Sequence, residues 1–300
     1  MNAKARLGSV EVGDRFPVRI MAAINASPES FYKGSVAMTS QDISKRVVQA
    51  IDEGADLIDI GGSSTAPYLK TEVSEEVEIS RVRAALRAIA DTVGEGETTV
   101  SVDTVRASVA DMALRAGASV VNDVSGLKGD AAMSMIVKER GASLLAMAHS
   151  SGSSSLRPVA RTSSALGETL RIAEKAGIDE RLIVLDPGIG FFRNEVGNRT
   201  TSLQRLMPWY EWDCEVIANL RRLSSLGRPF GVGVSRKSFL GGALKIQTPE
   251  ERLPGSLAVT AIAVMNGAQL VRTHDVKETL QAVRAAEAVR ARVPRATRAS

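Results

Sequence analysis

Short runs of consecutive apolar residues, bounded by Gly, Pro, Asp or Ser, recur along this chain, each followed by a longer stretch with helical spacing. Eight such runs stand out, at residues 18–24, 57–60, 99–102, 120–122, 143–147, 182–185, 230–234 and 270–273. They are apolar on both sides rather than alternating, which predicts strands buried on both faces in a parallel sheet covered by helices. Helices are predicted over 40–53 and 74–93, and over "TVRASVADMALRAG", "LGETLRIAEKAG", "GSLAVTAIAVMNG" and "DVKETLQAVRAAEAVRARV". Ser74 reads as an N-cap, with Glu75 and Glu76 in the first turn where the helix dipole favours negative charge. Several of the other helical segments close on a Gly suited to a helix C-terminus. Eight strand–helix units predict an α/β protein built as a single (β/α)8 TIM barrel. A doubly wound open sheet is the competing architecture. No linker or repeat divides the chain, so one domain is expected over 1–300, with 1–15 an N-terminal extension and 292–300 a basic C-terminal tail.

Composition narrows the function. The apolar share of 44% in 300 residues suits a soluble protein with a large core, and no apolar run is long enough to span a bilayer. The first residues lack the apolar centre of a signal peptide, so a cytoplasmic location is expected. Cys214 is the sole cysteine and His149 and His274 the two histidines, which excludes an internal disulfide and a Cys/His zinc cage. Any metal is expected to be a hard cation on oxygen ligands. A net charge of +4 and a pI of about 9.3 would suit an anionic partner, yet much of the surplus lies in "VRARVPRATRAS", read as a solvated end. With aromatics at 4% and no basic stripe interleaved with them, nucleic acid is not an expected partner.

In a parallel barrel the loops that follow the strands build the active site. The strand exits here carry Asn25, the run Gly61-Gly62-Ser63-Ser64-Thr65, Asp103, Asn122, His149, Asp186, Ser235-Arg236-Lys237, and Arg272 with His274. Any one of these would serve as well for a cap or strand-end hydrogen bond; eight polar exits on one mouth point to chemistry. Asp103, Asn122 and Asp186 suit a flat heterocycle rich in N–H donors, whose amidine-like edge pairs with a carboxylate as a guanidinium does. Lys237, Arg272 and His274 come from the last two strands, where such barrels often hold phosphate, and form a basic lip able to stabilise a multiply charged leaving group. An amide oxygen of Asn25, with phosphate oxygens and water, would satisfy Mg²⁺. No nucleophile is paired with a base. Cys214 in "EWDCEVIAN" reads as a core or surface thiol, and the serines of "SSGSSSLRP" read as a loop without triad partners. Transfer of an organic group away from diphosphate is the expected chemistry.

Taken together, "INASPESF", "GADLIDIGGSSTAPY", "SVDT", "VNDVSG", "LDPGIGF", "GVSRKSF" and "VRTHDV" resemble the dihydropteroate synthase family, in its order, over about Val18 to Val289. The resemblance implies a pterin-binding barrel that joins a dihydropterin methyl diphosphate to p-aminobenzoate and releases pyrophosphate in folate synthesis. It implies a pterin pocket of Asp103, Asn122, Met147, Asp186 and Lys237, and a diphosphate and Mg²⁺ region at Asn25, Arg272 and His274. Lys237, Arg272 and His274 are the expected catalytic residues. Phe31, Thr65, Pro67, Phe191 and Ser235 match the region that holds the aryl amine beneath two mobile loops. A homodimer formed away from the mouth is implied as well.

Departures from the family pattern bear on the acceptor. Where the family has Glu-Ser-Thr-Arg-Pro-Gly, this chain has Ser63-Ser64-Thr65-Ala66-Pro67-Tyr68, so the diphosphate-gripping arginine is replaced by Ala66, with Lys33 or Lys70 as conceivable substitutes. The first loop has Ser-Pro-Glu for Thr-Pro-Asp, and "MAHSSG" departs from Met-His-Met. A modified aryl amine is therefore an open alternative. Two other readings compete: a pterin-dependent methyltransferase serving a corrinoid partner, and a catalytically silent pterin-binding protein.

Overall fold

A computed structural model describes residues 3–28, 37, 39–64, 73–149, 156–191 and 207–293. All eight expected strands are present: β3 (Arg19–Asn25), β4 (Leu57–Gly61), β5 (Thr99–Asp103), β6 (Val120–Asp123), β7 (Ser143–Met147), β8 (Ile183–Asp186), β9 (Gly231–Gly233) and β10 (Leu270–Thr273). They pair in parallel in chain order, and β10 pairs with both β9 and β3. A parallel bridge between Leu185 and Phe230 closes the circuit, with the Leu185 N–H donating to the Pro229 carbonyl at 2.9 Å. That closure decides for the barrel against the open sheet.

The helices α1 (Ser40–Asp52), α2 (Glu75–Val93), α3 (Ala107–Arg115), α4 (Met133–Arg140), α5 (Pro158–Ala176), α6 (Trp209–Ala218), α7 (Ser238–Leu244), α8 (Leu253–Met265) and α9 (Val276–Arg290) surround the strands. Thr39 caps α1 in a reciprocal box with Asp42, and Ser74 caps α2 by accepting the Val77 N–H. Helix α5 begins earlier than the pattern predicted. Pro158 opens it, and Val159, Thr162, Ala165 and Leu166 bury its first turns. Cys214 is exposed on α6. Among the described residues no helix is long and apolar enough to cross a membrane.

The N-terminal segment carries structure of its own. Strands β1 (Lys4–Leu7) and β2 (Val10–Gly13) form an antiparallel hairpin. Their local pattern is the alternation that a one-sided sheet needs, with Ala5 and Leu7 buried between exposed Lys4 and Arg6. Ala5, Leu7 and Val12 plug the barrel by packing on Met21, Leu57, Val120, Leu145, Val184 and Leu270. Gly8 turns the hairpin at φ +58°, where an added Cβ would lie 2.5 Å from Ser119 Oγ. Its N–H donates to Ser143 Oγ at 3.0 Å, and Ser9 Oγ lies 2.8 Å from Thr99 Oγ1. One end of the lumen is thereby sealed and the C-terminal mouth left for ligand. Leu7 is fully buried, so Leu7→Ala should cost about 2–4 kcal/mol in denaturant-induced unfolding while leaving the mouth and its ligand affinity intact.

Candidate active site

The strand register assembles the rim. Asn25 is opposite Gly61, Gly61 opposite Asp103, and Asp103 opposite Asn122; farther round, Met147 stands beside Asp186 and Arg272 beside Gly233. Each lies at or next to the C-terminal end of its strand, so all eight strands bring their last residues to one mouth.

Contacts then divide this rim. Arg272 Nη2 donates to Asp103 Oδ2 at 3.0 Å, and its Nε donates to Asp59 Oδ2 at 2.6 Å. Asn122 Nδ2 donates to the same Asp59 oxygen at 3.1 Å. Two of the five guanidinium N–H donors are committed to carboxylates, leaving three for a ligand. Asp103 Oδ1 is buried and has no hydrogen-bond partner among the described residues, which makes it an acceptor awaiting an N–H donor. Asp186 Oδ1 accepts the Gly188 N–H at 2.7 Å. Met147 is buried and supplies an apolar wall at the end of β7.

Lys237 enters from the other side. Its Nζ donates to the Ile189 carbonyl at 2.5 Å and stands 4.7 Å from the centroid of the Phe191 ring. The Gly-rich stretch after β8 permits this approach: a Cβ on Gly190 would lie 3.1 Å from Lys237 Cδ. Asp213 on α6 anchors that stretch by accepting the Gly190 N–H at 2.9 Å.

The adjacent cation turns elsewhere. Arg236 adopts φ +52° and is buried, with Nη2 and Nε on the Asp275 carboxylate at 2.7 and 2.9 Å and Nη1 on the Glu250 carbonyl at 2.7 Å. Its own N–H donates to Ser256 Oγ at 2.8 Å. Arg236 is thus a structural clamp that ties the exits of β9 and β10 together, while Lys237 carries the charge into the site. Ser235 Oγ, also near Asp275, accepts the His274 N–H at 3.4 Å. On the β4–β5 flank, buried Glu78 accepts from Thr104 Oγ1 at 2.7 Å and pairs with Arg106, holding the start of α2 against the loop after Asp103.

Burial sets the charge states. It pushes the Asp103 carboxyl up to about 7, with Arg272 opposing and Asp59 adding to the rise. It also raises Asp186, against the pull of Lys237. The Lys237 ammonium comes down to about 8, mainly by burial and despite Asp186. Burial also pulls on Arg272, but the Asp59 and Asp103 carboxylates more than reverse it, so that guanidinium stays charged. His274 is lowered to about 4 by burial and by Arg272. It is therefore a neutral imidazole, and its Nδ1, 3.1 Å from the Ala23 carbonyl, carries the proton, so Nε2 is an acceptor. The basic lip expected from the sequence is two cations and a neutral ring.

Of the other expected residues, Asn25 ends β3 on this rim. Its Oδ1 lies 3.7 Å from where a Gly61 Cβ would stand, so the missing side chain leaves that oxygen room. Among the described residues no group of three or more His, Cys, Asp or Glu is placed to hold a metal. A single amide oxygen fits Mg²⁺ only when substrate phosphate and water complete the shell, which is this ion's usual habit. Phe31, Thr65 and Pro67 lie outside the described residues, as do Ala66, Tyr68, Lys33 and Lys70.

Asp59 is the residue that the sequence reading missed. It is fully buried in the second inward layer of β4, two residues before Gly61 and so on the same face. The signal was a carboxylate inside the apolar run "LIDIG".

A closed (β/α)8 barrel whose mouth gathers buried carboxylates, an amide and two cations defines a binder of a flat, N–H-rich ring with a charged substituent. Residues 21–274 match the family described as pterin binding enzyme. The chain is 36% identical over 282 residues to a dihydropteroate synthase of Clostridium beijerinckii, covering 93% of this chain and 97% of the relative. It superimposes on a Xanthomonas albilineans dihydropteroate synthase with 4-aminobenzoic acid at a TM-score of 0.82, with 31% identity over 98% of this chain and 100% of the other. A second structure of that enzyme, in complex with 7,8-dihydropteroate, gives 0.79 at 30% identity over 97% and 100%. This chain belongs to the dihydropteroate synthases of the pterin-binding family.

Proposed function

We infer that this protein condenses a 6-hydroxymethyl-7,8-dihydropterin diphosphate with p-aminobenzoate, giving dihydropteroate and pyrophosphate. The observation that carries this reading is the pairing, across one buried mouth, of Asp103, Asn122 and Asp186 with Arg272 and Lys237. Asp186 and Asp103 Oδ1 accept from the ring N–H groups, Asn122 fixes its edge, and Met147 covers its apolar part. The methylene C–O bond breaks, both electrons leave with diphosphate, and the amine nitrogen lone pair forms the new C–N bond. The ring delocalises the developing positive charge, while Lys237 and Arg272 stabilise the departing anion. The amine attacks as a neutral base and loses its proton afterwards to water or the released diphosphate. No general base is needed before attack. His274 serves as a neutral acceptor at the same end.

Asn25 would hold Mg²⁺, which when bound supplies charge neutralisation to the diphosphate. Phe191, whose ring centroid lies 4.7 Å from Lys237 Nζ, and Ser235 would hold the acceptor on this reading, with Phe31, Thr65 and Pro67 assigned to the same role from the family pattern. A homodimer accords with α8, an almost wholly apolar helix that nonetheless leaves Ile262 49% exposed; light scattering should return twice 31.8 kDa. A cytoplasmic location fits a chain with one cysteine.

The test is pyrophosphate release with the pterin diphosphate and a panel of aryl amines, Mg²⁺ supplied. Release that requires both substrates and is fastest with p-aminobenzoate is the expected result. Faster release with a larger aryl amine would move the acceptor. Methyl transfer to a corrinoid without pyrophosphate, or tight pterin binding without turnover, would overturn the reading.

A further inference from the structure

Asp59 lies below the mouth and out of solvent, yet one residue of the expected pterin pocket, Asn122, and one of the expected diphosphate region, Arg272, hang on it. It lies one layer below the rim, opposite Ala23 and Ser101 in the strand register, in a lumen whose next layer down is Met21, Leu57, Val120, Leu145, Val184 and Leu270. We propose that Asp59 is a positioning residue for the pterin site, holding Arg272 and Asn122 from beneath in the orientations in which they meet the ligand.

The chemistry of the three side chains supports this. Asp59 Oδ2 accepts from Asn122 Nδ2, so the amide nitrogen faces Asp59 and Oδ1 is sent to the other side. Asp59 thereby chooses between the two amide orientations that a symmetric environment would leave open. Arg272 is held at two points, Nε on Asp59 and Nη2 on Asp103. A planar group pinned at two nitrogens cannot rotate, so its other three N–H donors point in fixed directions. Each of these partners lies at a different strand end, and Asp59 is the atom set common to both.

Packing alone does not account for the residue. Asp59 Oδ1 is buried without a hydrogen-bond partner among the described residues, an arrangement that burdens the fold. An uncharged side chain of the same volume would fill the space, but it would leave the buried Arg272 guanidinium with one carboxylate partner instead of two. A buried carboxylate with one oxygen unpartnered and the other shared by two ligand-facing residues is what a site residue looks like.

The inference rests on the pterin reading of the rim. Its test is Asp59→Asn in the full chain, with 6-hydroxymethylpterin as the calorimetric probe alongside turnover and thermal midpoint. We expect the midpoint to fall, because Arg272 keeps only Asp103 as a carboxylate partner, pterin affinity to fall by about tenfold or more, and kcat to fall by a similar factor, as for loss of a charged hydrogen-bond partner. In an Asn122→Ala background the affinity loss caused by Asp59→Asn should shrink, because the amide it would mis-set is gone. Affinity and kcat within twofold of wild type would overturn the proposal, as would an equal affinity loss in both backgrounds. If Asp59→Asn does not fold, the same measurements on Asp59→Ser decide. Wild-type protein that binds the pterin yet releases no pyrophosphate would instead defeat the functional reading and leave the binding arm of this test intact.

Discussion

Lys237→Ala should reduce turnover by about a hundredfold or more at saturating substrate, the scale expected when one preorganised donor to a departing anion is removed. The effect is large because the ammonium is held in place before substrate arrives. Its Nζ is fixed between the Ile189 carbonyl and the Phe191 ring, so no reorganisation is required when the C–O bond breaks. Burial also lowers its pKa to about 8, which supplies an internal check. The charged form predominates below that value and is lost above it, so turnover should decline as pH rises through about 8. In Lys237→Arg, whose charge does not titrate there, the surviving activity should lack that alkaline limb. Initial rates of pyrophosphate release across pH measure both effects. Near-normal turnover in Lys237→Ala would remove the residue from the mechanism.

Asp186→Ala should weaken pterin binding by roughly 10- to 100-fold, the range for a hydrogen bond to a charged partner. One carboxylate oxygen is already committed to the Gly188 N–H, which aims the other from the end of β8. Burial raises its pKa, opposed by Lys237. The sign follows: as pH falls, Asp186 takes up its proton at a higher pH than an ordinary aspartate, and pterin affinity declines with it. Isothermal titration with 6-hydroxymethylpterin reads the loss directly. Unchanged affinity would mean that the heterocycle sits elsewhere. The two variants also separate roles, since Asp186→Ala should act mainly on affinity and Lys237→Ala mainly on kcat.

The eight strands were legible because each is a local run, buried on both faces, and local runs survive in the sequence whatever the distant partners are. Their exits follow from the same pattern, which places Asp103, Asn122, Asp186, Lys237 and Arg272 at the ends of strands on one mouth. The N-terminal hairpin was overlooked although "KARLGSVEVG" alternates around a Gly-Ser turn, because its four-residue strands gain burial only by plugging a barrel that already exists. The early start of α5 was hidden for a related reason: its first turns are polar enough to read as loop until Thr162 and Leu166 are buried.

By itself the sequence determined the order of strands and helices, the parallel sheet they build, with the barrel as its expected form, and the polar residues that end each strand. Those are consequences of periodicity, a property of neighbours along the chain. The closure between Leu185 and Phe230 decided for the barrel. Only the tertiary structure decided which of these groups touch and what charge they carry. Arg272 meets Asp59 across 213 residues of chain, Arg236 turns away to Asp275 while Lys237 enters the site, and His274 becomes neutral beside Arg272. Desolvation and pairing are set by whatever surrounds a side chain in space, and nothing in local spacing encodes that.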